Sequence, residues 1–228
     1  VNGARTSSMA SNIMYSFARN QEMDYPVNLM YALIGNDVCN PHPNFDHMTT
    51  PEEFYQNVVT ATDYLDTQLP MDSNVIFMGL ADGLILFNAM HDRIHPLGEL
   101  RQDVTYENLY DYLNCLEISP CWGWLNSNAT VRLETQRIAN ELSAVYQQVI
   151  AQNSYSHFNM TYIDCPVKEM VDVWESQGGE AWQLIEPVDG FHPNQIGNAL
   201  IADYVWQEFE NNLPYLIPPL NPHNDEIE

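Results

Sequence analysis

Positive charge is what this sequence has least of. Seven Lys and Arg stand against 31 Asp and Glu, a formal net charge of −24 over 228 residues. Affinity for nucleic acid comes from cations that neutralise phosphates, so no nucleic-acid partner is expected. The same deficit opposes unaided docking on an anionic membrane. No apolar run approaches the roughly 18–20 residues needed to cross a bilayer, and the first residues carry no signal-peptide pattern. There is no C-x-x-C pair, which argues against a zinc ribbon or a thioredoxin-type site. Internal repeats and low-complexity blocks are absent as well.

What is present is a globular composition, 45% hydrophobic and 11% aromatic. The length suits one α/β domain or most of one. An acidic, solvated surface fits an acidic or extracellular compartment. Four cysteines occur, at 39, 115, 121 and 165, together with two glycosylation sequons beginning at Asn128 and Asn159. Even cysteine number and sequons together point to a secreted or lysosomal, vesicular location. Cys115 and Cys121 bracket a short Leu-Glu-Ile-Ser-Pro loop, which suits a local disulfide. The chain starts at Val1 inside what reads as a motif, so a larger preceding piece is expected.

Three near-continuous apolar runs, Val27–Ile34, Asn74–Leu80 and Phe158–Ile163, read as buried parallel strands. Helical patterns alternate with them. Thr50-Pro51-Glu52-Glu53 combines an N-cap, a first-turn proline and a capping box, and opens a helix expected to run to about Leu69. Further helices are expected over Asn128–Gln152, Pro166–Gln177 and Pro193–Leu213, with 214–228 as an extended Pro-rich, acidic tail. Alternation of this kind predicts a parallel sheet covered on both faces, with ligands at the carboxyl ends of its strands. The stretch 81–124, long and aromatic, reads as an insertion that shapes a pocket or lid.

The sharpest chemical signal is Asp189-Gly190-Phe191-His192-Pro193. Acyl transfer needs a base to accept a hydroxyl proton and a carboxylate to hold that base in one tautomer. A D-x-x-H turn puts both in one loop, and Pro193 makes His192 the expected N-cap of the following helix. An ordinary capped turn is the plainer alternative. Gly35-Asn36-Asp37, after a buried strand, offers an amide donor for a developing oxyanion, although Asn and Gly also favour turns. Asn2-Gly3-Ala4 offers a backbone N–H that can approach a reacting oxygen closely, and alone it carries almost no weight.

His91 and His95 have the i, i+4 spacing of a zinc-protease helix, yet Asp92 stands where that motif has its base and Pro96 follows at once. No third ligand is evident, so no metal is expected and His95 reads as polar lining of the crevice. Trp122 and Trp124, with Tyr106, Tyr110 and Tyr112, could line an acyl pocket, although helix packing more commonly explains such spacing.

Taken in order, Asn-Gly-Ala, Gly-Asn-Asp and Asp-x-x-His-Pro resemble the second, third and fifth sequence blocks of the SGNH (GDSL-like) hydrolases. YALIGNDVC (31–39), MTTPEEFYQNV (48–58), HPLGEL (95–100), LNCLEISPCWGW (113–124) and WQLIEPVDGFHPNQ (182–195) extend the likeness to the large subunit of the acyloxyacyl hydrolases. The resemblance implies a three-layer α/β/α fold and hydrolysis of fatty-acyl esters, with secondary acyl chains of lipopolysaccharide as substrates and phospholipids as a further class. It also implies His192 as base, Asp189 as its partner, and Asn36 and Gly3 as oxyanion donors. The family's nucleophile lies in a Gly-Asp-Ser block upstream of these, and this sequence contains none. The saposin-like small subunit and calcium-binding positions of those enzymes also lie upstream, so no cofactor is expected in this chain. The nucleophile's strand being absent, the sheet is expected to be incomplete on its N-terminal side, with an exposed edge that an upstream segment would complete. An SGNH esterase for carbohydrate acetyl groups, or an inactive truncated fragment, is the alternative.

Overall fold

A computed structural model describes residues 3–226. Three parallel strands, β1 (Asn28–Tyr31), β2 (Ser73–Met78) and β3 (Phe158–Ile163), form one sheet in the order β1-β2-β3. Tyr31 lies opposite Phe77, and Met78 opposite Ile163. The main helices are α1 (Pro51–Asp66), α2 (Leu84–Met90), α3 (Tyr106–Cys115), α4 (Ala129–Gln152), α5 (Val167–Ser176) and α6 (Gln195–Asn212).

The period of two along β2 assigns the layers. Val75 and Phe77 face one way and join Phe54, Val58, Ala61 and Leu65 of α1 and Leu142, Val145, Tyr146 and Val149 of α4 in the main core. Tyr146 stacks on Phe77 with ring centroids 4.8 Å apart. Ile76 faces the other way, with Ile163 and Leu216, against Val205 and Phe209 of α6. The result is helix–sheet–helix, as the alternating pattern predicts. Among the described residues the outer edge of β1 has no strand partner, and Met30 on that strand is 41% exposed.

Local signals account for most helix ends. Thr50 accepts from the Glu53 N–H while the Glu53 carboxylate returns to Thr50, the reciprocal cap read from the sequence. Gly178 follows α5 at φ +89°, a conformation that favours glycine.

Three expectations need correction. The disulfide joins Cys39 to Cys121, with Cα atoms 4.4 Å apart. Cys115, the last residue of α3, is free and exposed; Cys165 is free and half-buried. The N-cap of α6 is Asn194, which accepts from the N–H groups of Ile196 and Gly197, so His192 lies outside the helix. The segment after residue 213 does not simply trail off: Leu216 is 3% exposed beneath the sheet and its carbonyl accepts from the Asn28 amide.

Candidate active site

Residues 186–192 form a closed turn between two parts of the fold. The Glu186 N–H donates to the His192 carbonyl and the Gly190 N–H to the Glu186 carbonyl, at 2.8 and 2.9 Å. The Glu186 carboxylate accepts from the N–H groups of Val188 and Asp189. Gly190 sits at φ +62°, where a side chain would be strained. Within this turn Asp189 Oδ1 accepts from the backbone N–H of Phe191 and of His192, which aims Oδ2 at the ring of His192. The resulting Asp189 Oδ2 to His192 Nδ1 distance is 2.6 Å.

Each group shifts the other's titration. Partial burial pushes the Asp189 carboxyl up, but hydrogen bonds from the His192 ring and the two N–H groups outweigh it and hold the carboxyl low. The hydrogen bond to Asp189, against the opposing effect of desolvation, raises the His192 pKa above its ordinary 6.5; the charges of Asp189 and Glu186 act the same way. With Nδ1–H given to Asp189, Nε2 is left to accept a proton.

Asn36 lies on the helical turn Gly35–Val38 at the carboxyl end of β1. It borders the same cavity as His192, a space of about 420 Å³. Leu80, Ile85, Leu86, Trp124, Met170, Val171 and Leu184 make much of the remaining wall. The Asn36 amide donates to the Ala4 carbonyl at 2.9 Å, which ties the Gly3-Ala4 backbone to the Gly-Asn-Asp turn. Gly3 is exposed at φ +71°; Asn2 of the same motif is outside the described residues.

Asp37 strengthens that tie. It is fully buried, and it accepts from the Thr6 N–H at 3.0 Å, the Thr6 hydroxyl at 2.7 Å and the Thr49 hydroxyl at 2.7 Å. Burial pushes its carboxyl above the usual range, partly offset by these three donors and by Arg5. A buried carboxylate with this many donors clamps the start of the chain onto the loop that carries Asn36. No sequence motif singled it out beyond its place beside Asn36.

Two comparisons bear on this arrangement. The family model described as GDSL-like lipase/acylhydrolase matches residues 1–205. The chain belongs to this family. It is similar to acyloxyacyl hydrolase of Homo sapiens, 42% identical over 228 residues, which is 100% of this chain and 40% of that protein. The counterpart from Mus musculus is 41% identical over 228 residues, again 100% of this chain and 40% of the relative. That from Oryctolagus cuniculus is 42% identical over 229 residues, with the same coverage. This GDSL-like chain therefore spans 40% of the length of those relatives.

Not every residue expected at the pocket of this GDSL-like domain lies there. Trp124 does, 3% exposed. Trp122 packs edge-on against Phe45, 5.5 Å between centroids, and is not part of the cavity wall. His95 is also absent from that wall; it is 3% exposed and hydrogen-bonded to the Val188 carbonyl of the 186–192 turn. His91 is half-buried, stacks on Phe87 and contacts the Phe87 carbonyl. Among the described residues no three His, Cys, Asp or Glu side chains are grouped so as to hold a metal ion. The insertion 81–124 divides: its two ends, 81–86 and 120–124, border the cavity, while His95, Tyr106 and Tyr110 reach the turn at 187–190. Sequons at Asn128 and Asn159 are both exposed, the first as the N-cap of α4 and the second on β3.

Proposed function

We propose that this chain carries the base and oxyanion donors of a lipid-ester hydrolase that releases fatty-acyl groups. Secondary acyl chains of lipopolysaccharide are the favoured substrate, and phospholipid acyl esters a further one. In this reading a serine on an upstream segment attacks the ester carbonyl while His192 Nε2 takes its proton. Asp189 holds the imidazole in the receptive tautomer and stabilises its cation. The Asn36 amide and the Gly3 N–H receive the oxyanion. His192 then returns the proton to the departing alcohol, and water, deprotonated by the same base, releases the fatty acid.

The observation that carries this reading is the 2.6 Å Asp189–His192 pair, whose histidine borders a largely apolar cavity that Asn36 also borders. A space of this size and lining suits an acyl chain. An upstream source for the serine is supported by the lack of any Gly-Asp-Ser in the 228 residues and by the edge of β1, which has no strand partner among the described residues. We further propose a saposin-like partner for presenting lipid and a secreted or lysosomal location; the buried Cys39–Cys121 disulfide supports an oxidising compartment. No helix among the described residues is long and apolar enough to cross a membrane.

Hydrolysis of long-chain and acetyl esters by the protein that includes the upstream segment tests the reading. Preference for long chains is expected. Preference for acetyl esters would transfer the assignment to carbohydrate deacetylation, and no hydrolysis of either, with the serine segment present, would mark an inactive relative. Asn36→Ala should lower kcat by about 100- to 1,000-fold with a smaller change in KM, since an oxyanion donor acts mainly in the transition state. An unchanged kcat would remove Asn36 from that role.

Gly83 offers a probe of the cavity wall. A Cβ at this position would lie 2.0 to 2.5 Å from three atoms of the Trp124 rings. Gly83→Ala must therefore displace the indole, which forms part of the wall. The ratio of long-chain to acetyl-ester turnover is expected to fall by roughly tenfold, a scale typical of small steric changes in apolar pockets. Equal losses on both esters would place the acyl chain elsewhere.

A further inference from the structure

The Asp189–His192 turn receives three hydrogen bonds from side chains of the 81–124 insertion. The Tyr106 hydroxyl donates to the Pro187 carbonyl at 2.6 Å and the Tyr110 hydroxyl to the Gly190 carbonyl at 2.7 Å. Between them, His95 Nε2 lies 2.9 Å from the Val188 carbonyl. The ring's other nitrogen, Nδ1, accepts from the Leu97 N–H at 3.1 Å, so Nε2 carries the hydrogen and donates it. All three side chains are buried, with His95 and Tyr106 at 3% exposure and Tyr110 at 0%. We propose that His95, Tyr106 and Tyr110 form a positioning clamp that sets the distance between Asp189 and His192.

The shape of the turn supports this independently of the hydrogen bonds. A Cβ on Gly190 would come within 2.6 Å of the Tyr106 ring and 2.7 Å of the Tyr110 hydroxyl, so the two tyrosines press on the turn at its tightest point. His95 and Tyr106 meet edge to face with centroids 4.8 Å apart, and Tyr106 and Tyr110 lie 6.1 Å apart. The three donors thus form one packed unit. Burial also raises the pKa of both tyrosines, which keeps their hydroxyls protonated and able to donate. The catalytic side chains themselves are far less enclosed: the His192 side chain is 63% exposed and that of Asp189 37%. An exposed dyad on a seven-residue turn depends on what lies behind it, and here the carbonyls at 187, 188 and 190 are all held.

The clamp rests on the assignment of His192 as the base, and its test separates the two claims. Tyr106→Phe and Tyr110→Phe keep the rings and remove only the donors; His95→Gln keeps a donor and an acceptor, and His95→Ala removes both. In the active protein each Phe variant is expected to lower kcat by about tenfold, since small misplacements of a base are costly, with KM changed by less than about twofold. His95→Gln should recover much of what His95→Ala loses. A second readout needs no turnover: the His192 ring titration followed by NMR. Asp189 and Glu186 are the charged groups that act on this ring. Loosening the turn should weaken the Asp189 hydrogen bond and move the midpoint down toward 6.5, whereas a purely structural loss of stability would leave it in place. Unchanged kcat and an unchanged His192 titration in both Phe variants would overturn the clamp. Normal turnover in His192→Ala would instead overturn the assignment on which it stands.

Discussion

His192→Ala in the protein that carries the nucleophile is expected to lower kcat by about 10⁴- to 10⁶-fold while leaving the denaturation midpoint nearly unchanged. The expected loss is large because, in the proposed mechanism, one imidazole serves twice, as base for the attack and as acid for the leaving alcohol. Stability should hardly move, because the side chain is 63% exposed and its contacts are with Asp189 and Phe191 of its own turn. Asp189→Asn is expected to cost somewhat less, about 10⁴-fold, through loss of the correct tautomer. The sign of the pH dependence follows from the pair. Hydrogen bonding to ionised Asp189 favours the imidazolium, so His192 titrates above 6.5. A base must be neutral to act, so kcat/KM should fall as pH drops through a midpoint above 6.5. In Asp189→Asn that limb should shift to lower pH even as the plateau collapses. A wild-type limb at or below 6.5 would contradict the geometry of the pair.

Replacing Cys39 and Cys121 together by alanine is expected to cost about 4.5 kcal/mol, the chain-entropy value for a loop of this length. The bridge spans 82 residues, from the Gly-Asn-Asp turn to the Trp122-Gly123-Trp124 segment. At this chain size that cost corresponds to roughly 10–15 °C in Tm, measured by thermal unfolding. Activity should also suffer, because Cys39 borders the cavity beside Asn36 and Cys121 holds the strand of chain that carries Trp124. Beside the bridge the Trp122 N–H also donates to the Asn40 carbonyl at 2.9 Å, a backbone link between the two segments. Peptide mapping under non-reducing conditions checks the pairing directly: a Cys115–Cys121 peptide would overturn it, as would a Tm unchanged in the double variant.

The relation between sequence and structure differs from element to element. Helix α4 and strand β3 appear where periodicity and apolar runs placed them, because their signals are local: a 3.6-residue apolar stripe and a short near-continuous apolar run. The first strand is shorter than the apolar run that announced it, Asn28–Tyr31 within Val27–Ile34. The remainder of that run turns into the Gly35–Val38 helical segment, since hydrophobicity marks burial and not its backbone conformation. The Asp189–His192 contact was legible because three intervening peptide bonds already bring the two side chains together.

Long-range pairings were settled by the fold. Cys121 had a cysteine six positions away and another 82 away, and the fold chose the distant one because loop closure is a weak function of length while geometry is a strong one. His95 reads in sequence as a crevice residue or half of a metal pair, yet its two nitrogens are spent on Leu97 and Val188. Asp37 is one letter in a short motif until Thr6 and Thr49 converge on it. From the amino-acid order alone came the layered α/β class, the dyad and the family. Which cysteines bond, which aromatics wall the cavity and which brace the turn were decided only when segments far apart in the chain packed against one another, because hydrogen bonds and contacts of that kind depend on position in space and not on spacing in sequence.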